Sequence, residues 1–322
     1  MKVLFIGLGS IGQRHFRLLQ NLPTPGPAQF FALRSGSSDT PTPAPAQALR
    51  DWNDVDRIRP HVAFICNPTS MHISTALECA RRGMHLFLEK PVAHNSEGLA
   101  ELRSIVRAKR LTAYVAYPLR FHPAVVAFRE RVREENSSGH VRCVVSSYLP
   151  AWRPGTDHLR SYSARHEMGG GVVLDLSHEF DLVQYIFGTI SVPTGIAGRM
   201  GGVTVDAEDF ADAIFKAGPH IVNLHMNFMS PHAERTIELD LPGRFLRLDI
   251  LAGELKSRAA DPASVKLEKF PVARDEMYVA QLRYFLDNLS NPALMNNLDE
   301  ASVLFEKILQ FRDWALQEGQ RL

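Results

Sequence analysis

Residues 3–6, Val3-Leu4-Phe5-Ile6, are an unbroken apolar run, the pattern of a short strand buried on both faces in a parallel sheet. A helical period through Leu18, Leu19 and Leu22 follows it. Residues 29–33 repeat the strand pattern behind a wall of Pro23, Pro25 and Pro27, and residues 40–46, with three prolines, read as a surface loop. Strand and helix then alternate: strand 62–66, helix 72–82 closed by Gly83, strand 85–88, helix 97–108 and strand 113–116. That alternation predicts a parallel α/β unit.

The pattern changes after residue 121. A helix over 124–133 and a strand over 141–149 come first. Residues 171–187 carry Val173, Leu176, Phe180, Val183 and Phe187 at spacings of 3, 4, 3 and 4, one apolar helical stripe that leaves Asp175 and His178 on a polar edge. Alternating runs near 209–215, 221–227, 236–241 and 245–250 predict a mostly antiparallel sheet, and helices over 278–289 and 300–315 close the chain. Two domains are expected, residues 1–121 and 122–322. One face of the second sheet has no helical cover in sequence order, and an uncovered apolar face predicts a homodimer or homotetramer.

Chemistry enters at the first turn. Gly7-Leu8-Gly9-Ser10-Ile11-Gly12 joins strand to helix as G-x-G-x-x-G, the dinucleotide-binding fingerprint in its required context. Gly7 allows the tight turn, Gly9 the approach of a pyrophosphate, and Gly12 close helix–strand packing; Ser10 and Ile11 complete the cofactor-binding turn. The fold class is therefore α/β: an N-terminal Rossmann domain followed by an α+β domain with a large open, mostly antiparallel sheet. After the second strand come Arg34 and Ser35 with no acid before Asp39, at a strand end where an NAD enzyme usually carries a carboxylate. NADP is expected over NAD. Further candidate cofactor contacts are Asn67, Pro68, Thr69 and His72, then Glu89 and Lys90, then Arg120, all at or beyond strand ends, where open α/β sheets place their ligands.

The G-x-G-x-x-G of Gly7 to Gly12, the Cys66-Asn67-Pro68 turn, Glu89-Lys90-Pro91, Arg120-Phe121-His122-Pro123, and Gly169-Gly170-Gly171 leading to Asp175 and His178 stand in one order. In these five motifs the chain resembles the Gfo/Idh/MocA family, the glucose–fructose oxidoreductase and inositol dehydrogenase group. The resemblance implies NAD(P)-linked oxidation or reduction of a sugar, cyclitol or related alcohol. It also implies a second domain whose open sheet commonly serves oligomerisation. Carried over by position, Lys90 contacts substrate and nicotinamide ribose, and His178 is the proton-transfer residue assisted by Asp175. Many members have D-x-x-x-H where this chain has Asp175-Leu176-Ser177-His178, which leaves Asp175 the less secure of the two. On one continuous helix, i and i+3 would still share a face. Just upstream, Arg153, Asp157, Arg160 and Tyr162 lie in a polar stretch without period, readable as a surface loop or as a substrate-facing one.

Composition narrows the classes. Thirty-six basic against 35 acidic residues leave a formal charge of +1, with no basic stripe for nucleic acid. No run approaches the ~18 apolar residues of a membrane span. Cys66, Cys79 and Cys143 form no paired spacing, which fits a reducing cytoplasm, and His220, His225 and His232 read as structural, so no metal is expected. Three readings remain: a nicotinamide-dependent dehydrogenase acting on a CH–OH group, a hydrolase or lyase using NAD transiently, and a non-catalytic NAD(P)-sensing protein.

Overall fold

The computed structural model describes residues 1–24, 26–34, 42–152, 155 and 157–319. The chain divides into two compact units, Met1–Tyr117 with Tyr278–Val303, and Pro118–Met277 with Leu304–Leu322.

In the first unit, β1 (Lys2–Ile6), α1 (Ser10–Leu19), β2 (Gln29–Leu33), β3 (Gln47–Leu49), α2 (Trp52–Ile58), β4 (Val62–Ile65), α3 (His72–Arg81), β5 (His85–Glu89), α4 (Leu99–Ala108) and β6 (Ala113–Ala116) succeed one another. The six strands pair in parallel in the order β3-β2-β1-β4-β5-β6. The order reverses direction beside β1, so β1 and β4 flank the switch point where such sheets bind ligands at their carboxyl ends. Every residue of β4 and β6 is buried, as expected of strands covered on both faces. Helix α2 starts where the Asp51 carboxylate accepts the Asp54 N–H at 2.9 Å.

The second unit contains α5 (Pro123–Arg133), β7 (His140–Tyr148), α6 (Val172–Asp175), α7 (Ser177–Phe187), β8 (Thr194–Gly198), β9 (Phe210–Ala217), β10 (His220–Asn227), β11 (Met229–Leu241), β12 (Arg244–Asp249), β13 (Glu254–Ala259) and β14 (Lys266–Lys269). Its eight strands run β14-β13-β12-β11-β7-β10-β9-β8, antiparallel except for the β7–β10 pair. Helices α5, α6 and α7 pack on strands of this sheet. The alternate residues point the other way. Arg142, Asp212, Ile214, Ile221, Asn223, Lys256 and Leu267 are exposed, so this face is open as expected. It is not apolar. Arg142 pairs with Glu238 at 2.8 Å and with Asp240 at 2.5 Å, Arg247 with Glu238 at 2.9 Å, and His225 with Asp212 at 2.8 Å; isoleucines and a leucine lie among these charges.

Two helices end the chain, α8 (Glu276–Asp287) and α9 (Leu298–Gly319). Residues 278–303, expected within a second domain of 122–322, belong to the first unit. There Leu282, Phe285, Leu286 and Leu294 complete a core with Phe5, Phe64, Phe87 and Tyr114. The Phe64 and Phe87 rings stack at 4.6 Å, and Phe285 meets Phe87 edge-on at 5.3 Å. Thr112 Oγ1 donates to Leu289 O at 2.7 Å, and Asn296 Nδ2 donates to Val115 O.

Candidate functional site

The glycine turn has the geometry of an anion cradle. Gly7 adopts φ +92°, and a Cβ there would lie 2.3 Å from Asn67 N. A Cβ on Gly12 would lie 2.0 Å from Gly7 O, so these two glycines are required by the close passage of β1, α1 and the β4 end. Gly9 differs: a Cβ there would meet nothing within 4 Å, so its bareness opens space outward. Gly9 is also the N-cap of α1, with no side chain capping it and no acid in the first turn. Uncapped N–H groups behind an open glycine, with exposed Ser10 and half-buried Ile11 beside them, fit a pyrophosphate.

The turns after β4 and β5 are tied together by buried imidazoles. His72 is 1% exposed; its Nδ1 lies 2.8 Å from Pro91 O and its Nε2 3.0 Å from Asn67 O. Burial pushes its pKa down, against the two carbonyls that favour the protonated ring. Asn67 Nδ2 donates to Thr75 Oγ1 at 2.8 Å, Pro68 opens the turn, and Thr69 is buried. Glu89 turns inward, its Oε1 2.5 Å from Nε2 of the fully buried His15 on α1, and its Oε2 accepts the Lys90 backbone N–H at 3.3 Å. Lys90 follows, half-buried, with a cis bond to Pro91. The side chains of His72 and Glu89, expected at the cofactor, therefore face the protein interior and hold the backbone around Lys90. Arg34 follows the last residue of β2, its N–H donating to Leu49 O at 3.0 Å. Ser35 lies outside the described residues.

In the second unit Arg120 is 3% exposed and bidentate to Asp181, at 2.9 and 2.6 Å, with its guanidinium 5.1 Å from the Tyr185 ring. Its side chain, too, is spent inside the protein. The segment expected as one helix over 171–187 breaks at Leu176 (φ −94°, ψ 20°), whose carbonyl accepts Glu179 N–H at 2.9 Å, an i+3 bond. No solvated polar edge results. Asp175, Ser177, Glu179 and Asp181 are all buried, each carboxylate with a partner. Asp175 Oδ1 accepts the Tyr162 hydroxyl at 3.1 Å. His178 meets Arg235 of β11, which donates from Nη2 to His178 Nε2 at 2.7 Å, while Arg235 Nε lies 2.9 Å from Glu179 Oε1. Asp157 caps a 3-10 turn by accepting Leu159 N–H at 3.0 Å; Arg153 and the Arg160 side chain lie outside the described residues.

Two of the three glycines before α6 make room. A Cβ on Gly170 would lie 2.2 Å from Tyr162 O, and one on Gly171 (φ +102°) 2.4 Å from the Glu208 carboxyl. That carboxyl accepts Val173 N–H at 3.2 Å, and burial pushes its pKa up to about 7. Glu208 and Arg235 escaped the sequence reading. Neither sits in a motif; both reach the His178 segment only through pairing across the fold. Among the described residues no group of His, Cys, Asp or Glu is arranged to hold a metal ion, and no helix is long and apolar enough to cross a membrane.

Known proteins share this fold. Residues 1–117 match the model of an oxidoreductase family with an NAD-binding Rossmann fold, and residues 126–243 match the Gfo/Idh/MocA C-terminal domain. The chain is 26% identical over 211 residues to levoglucosan dehydrogenase of Pseudarthrobacter phenanthrenivorans, covering 61% of this chain and 53% of that protein. It is 26% identical over 166 residues to inositol 2-dehydrogenase of Rhizobium meliloti, covering 51% and 46%. The matches thus span about half the length of these curated relatives. Among solved structures, an NAD-binding oxidoreductase from Klebsiella pneumoniae superposes with TM-score 0.81 at 14% identity, covering 98% of this chain and 96% of that one. A levoglucosan dehydrogenase in complex with NADH superposes with TM-score 0.80 at 15% identity over the same shares. These likenesses show the fold, and the two family models, in order along one chain, show the kinship: the chain belongs to the Gfo/Idh/MocA family of oxidoreductases.

Proposed function

We propose that the protein transfers a hydride between a nicotinamide dinucleotide and a hydroxyl of a sugar, cyclitol or sugar derivative. The observation that carries this reading is the uncapped α1 N-terminus behind Gly9, at the switch point of a 3-2-1-4-5-6 parallel sheet. Relatives named for levoglucosan and inositol support the substrate class. The dinucleotide, when bound, accepts or gives the hydride. Gly7, Gly9, Ser10, Ile11 and Gly12 hold its pyrophosphate. Lys90 polarises the substrate oxygen, and His178, whose residue type both gives and takes protons near neutral pH, hydrogen-bonds that oxygen and exchanges its proton. Tyr162 and Asp175 line the substrate side. Net NADH or NADPH formation at 340 nm with a panel of polyols and anhydrosugars tests the reading. Cofactor binding without turnover of any of them, or no cofactor binding at all, sinks it.

Within that reading we assign NADP(H) as the preferred cofactor, because Arg34 directly follows β2 with no acid before Asp39. Charge-assisted bonds to a 2′-phosphate contribute about 1.5–3 kcal/mol, so NADPH is expected to bind at least tenfold tighter than NADH. Equal dissociation constants by fluorescence titration would reverse the assignment. The open face of the second sheet serves a homodimer or homotetramer, whose mass light scattering reads directly. Exposed Ile214, Ile221 and Leu267 are the apolar groups of that face that such an assembly would cover. Three buried free cysteines suit a reducing cytoplasm.

A further inference from the structure

The nitrogen atoms of His178 are not equivalent. Nε2 lies 2.7 Å from Arg235 Nη2. A guanidinium has five N–H donors and no acceptor, so this contact is a hydrogen bond only if Nε2 offers its lone pair. The hydrogen of the neutral ring is then on Nδ1. The competing arrangement would put a hydrogen on Nε2 and aim it at Glu179 Oε1, 3.1 Å away. That arrangement sets two donors against each other at 2.7 Å across the Arg235–His178 contact. The guanidinium removes the difficulty, because its Nη2 serves the imidazole while its Nε lies 2.9 Å from the Glu179 carboxylate. Side-chain exposures of 13% for His178, 22% for Arg235 and 5% for Glu179 keep competing water scarce. Arg235 comes from β11, whose partner strand β7 carries the buried Cys143. The arginine therefore reaches the imidazole from the sheet, not from its own helix.

We infer that Arg235, anchored by Glu179, is a positioning residue that holds His178 as the Nδ1–H tautomer and withholds Nε2 from substrate. The inference deepens the proposed function and rests on it for its catalytic meaning, but the tautomer itself does not. In this state the ring's donor is Nδ1–H, a buried atom, and the lone pair of Nε2 is engaged by Arg235. Accepting a hydroxyl proton requires a lone pair, and in this tautomer only Nε2 has one. The O–H bond then breaks, the proton passes to Nε2, and the Arg235 N–H must first turn away from that nitrogen. Arg235 thus decides when His178 becomes a base.

Two-dimensional 15N–1H spectra of the ring nitrogens, recorded on the whole protein at pH 7.5, read the tautomer directly; the H178Q spectrum identifies the His178 signals. The wild-type protein should show a protonated Nδ1 and an unprotonated Nε2. R235K, which keeps a donor and a positive charge, should retain that pattern. R235M paired with E179Q, which avoids a stranded buried carboxylate, should move the hydrogen to Nε2 in a substantial fraction of molecules. A wild-type spectrum with Nε2 protonated overturns the inference, and it needs no variant to fold. So does an unchanged tautomer in R235M/E179Q. Turnover with polyols is scored separately: a confirmed tautomer in a protein that oxidises none of them sinks the proposed function and leaves the role of Arg235 standing.

Discussion

The two units position their polar groups by opposite means. In the first, β1, the glycine turn and α1 are adjacent along the chain, and each glycine answers a demand of the backbone: Gly7 a left-handed φ, Gly12 a contact with Gly7 O, Gly9 an open approach. In the second, the groups around His178 come from far away. Arg235 is 57 positions downstream, and Glu208 meets Val173 across 35. Backbone geometry can be specified by a few consecutive residues. A buried polar pair is defined only when two distant segments are both in place, and each member alone costs stability if its partner is missing.

The sharpest way to break this contrast is at the glycines. Gly7→Ala places a Cβ against Asn67 N at a φ that L-residues avoid, and is expected to lower the melting temperature by about 5 °C or more, or to abolish soluble protein. Gly9→Ala meets nothing, so its melting temperature should stay within about 2 °C of the parent while cofactor affinity falls tenfold or more. Equal melting temperatures for the two variants would show that the turn is less tightly built than its distances imply.

Next in size is the imidazole. His178→Ala should lose at least about a hundredfold in turnover with cofactor affinity nearly unchanged. Lys90→Ala should lose turnover together with substrate affinity, and cofactor affinity as well. Near-normal steady-state rates for His178→Ala would move proton transfer to Lys90 or Tyr162.

The smallest effect is a pH dependence of folding. The Glu208 carboxyl is raised from an ordinary 4.5 to about 7 by burial. Below both values the folded and unfolded chains each hold the proton, and this group contributes no slope. Between them only the folded chain holds it, so the contribution of Glu208 to stability falls as pH rises from about 4.5 to about 7. Glu208→Gln carries no titrating group, and its urea midpoint should be the less sensitive of the two across that window. Parallel midpoints for parent and variant would show that burial does not raise the Glu208 pKa.

Legibility follows the same division. Strands β1, β2, β4, β5 and β6 announce themselves as buried apolar runs. β3 has three residues with two of them exposed, and β14 only one of its four even partly buried, so neither leaves a pattern to read. The apolar stripe of residues 171–187 is present, but its polar complement is misleading, because α7 is buried on nearly every side and its carboxylates are neutralised from within. Lys90 and His178 were reachable through motif order. The pairings His15–Glu89, Arg120–Asp181 and Arg235–Glu179 were not, since nothing in the spacing of one member points to the other.

The return of residues 278–303 to the first unit has a consequence for biosynthesis. A ribosome finishes β6 long before it makes Leu282, Phe285, Leu286 and Leu294, which seal the core around Phe64, Phe87 and Tyr114. At typical elongation rates the nascent dinucleotide-binding half waits on the order of ten seconds with that apolar side unsealed. During this interval the fully buried Gln281, which accepts the Tyr114 hydroxyl at 3.4 Å, has not yet been made. The unit that begins first thus waits for most of the other to be made before it can close, and the interval is a window in which a chaperone, or an early dinucleotide, would find an unfinished sheet.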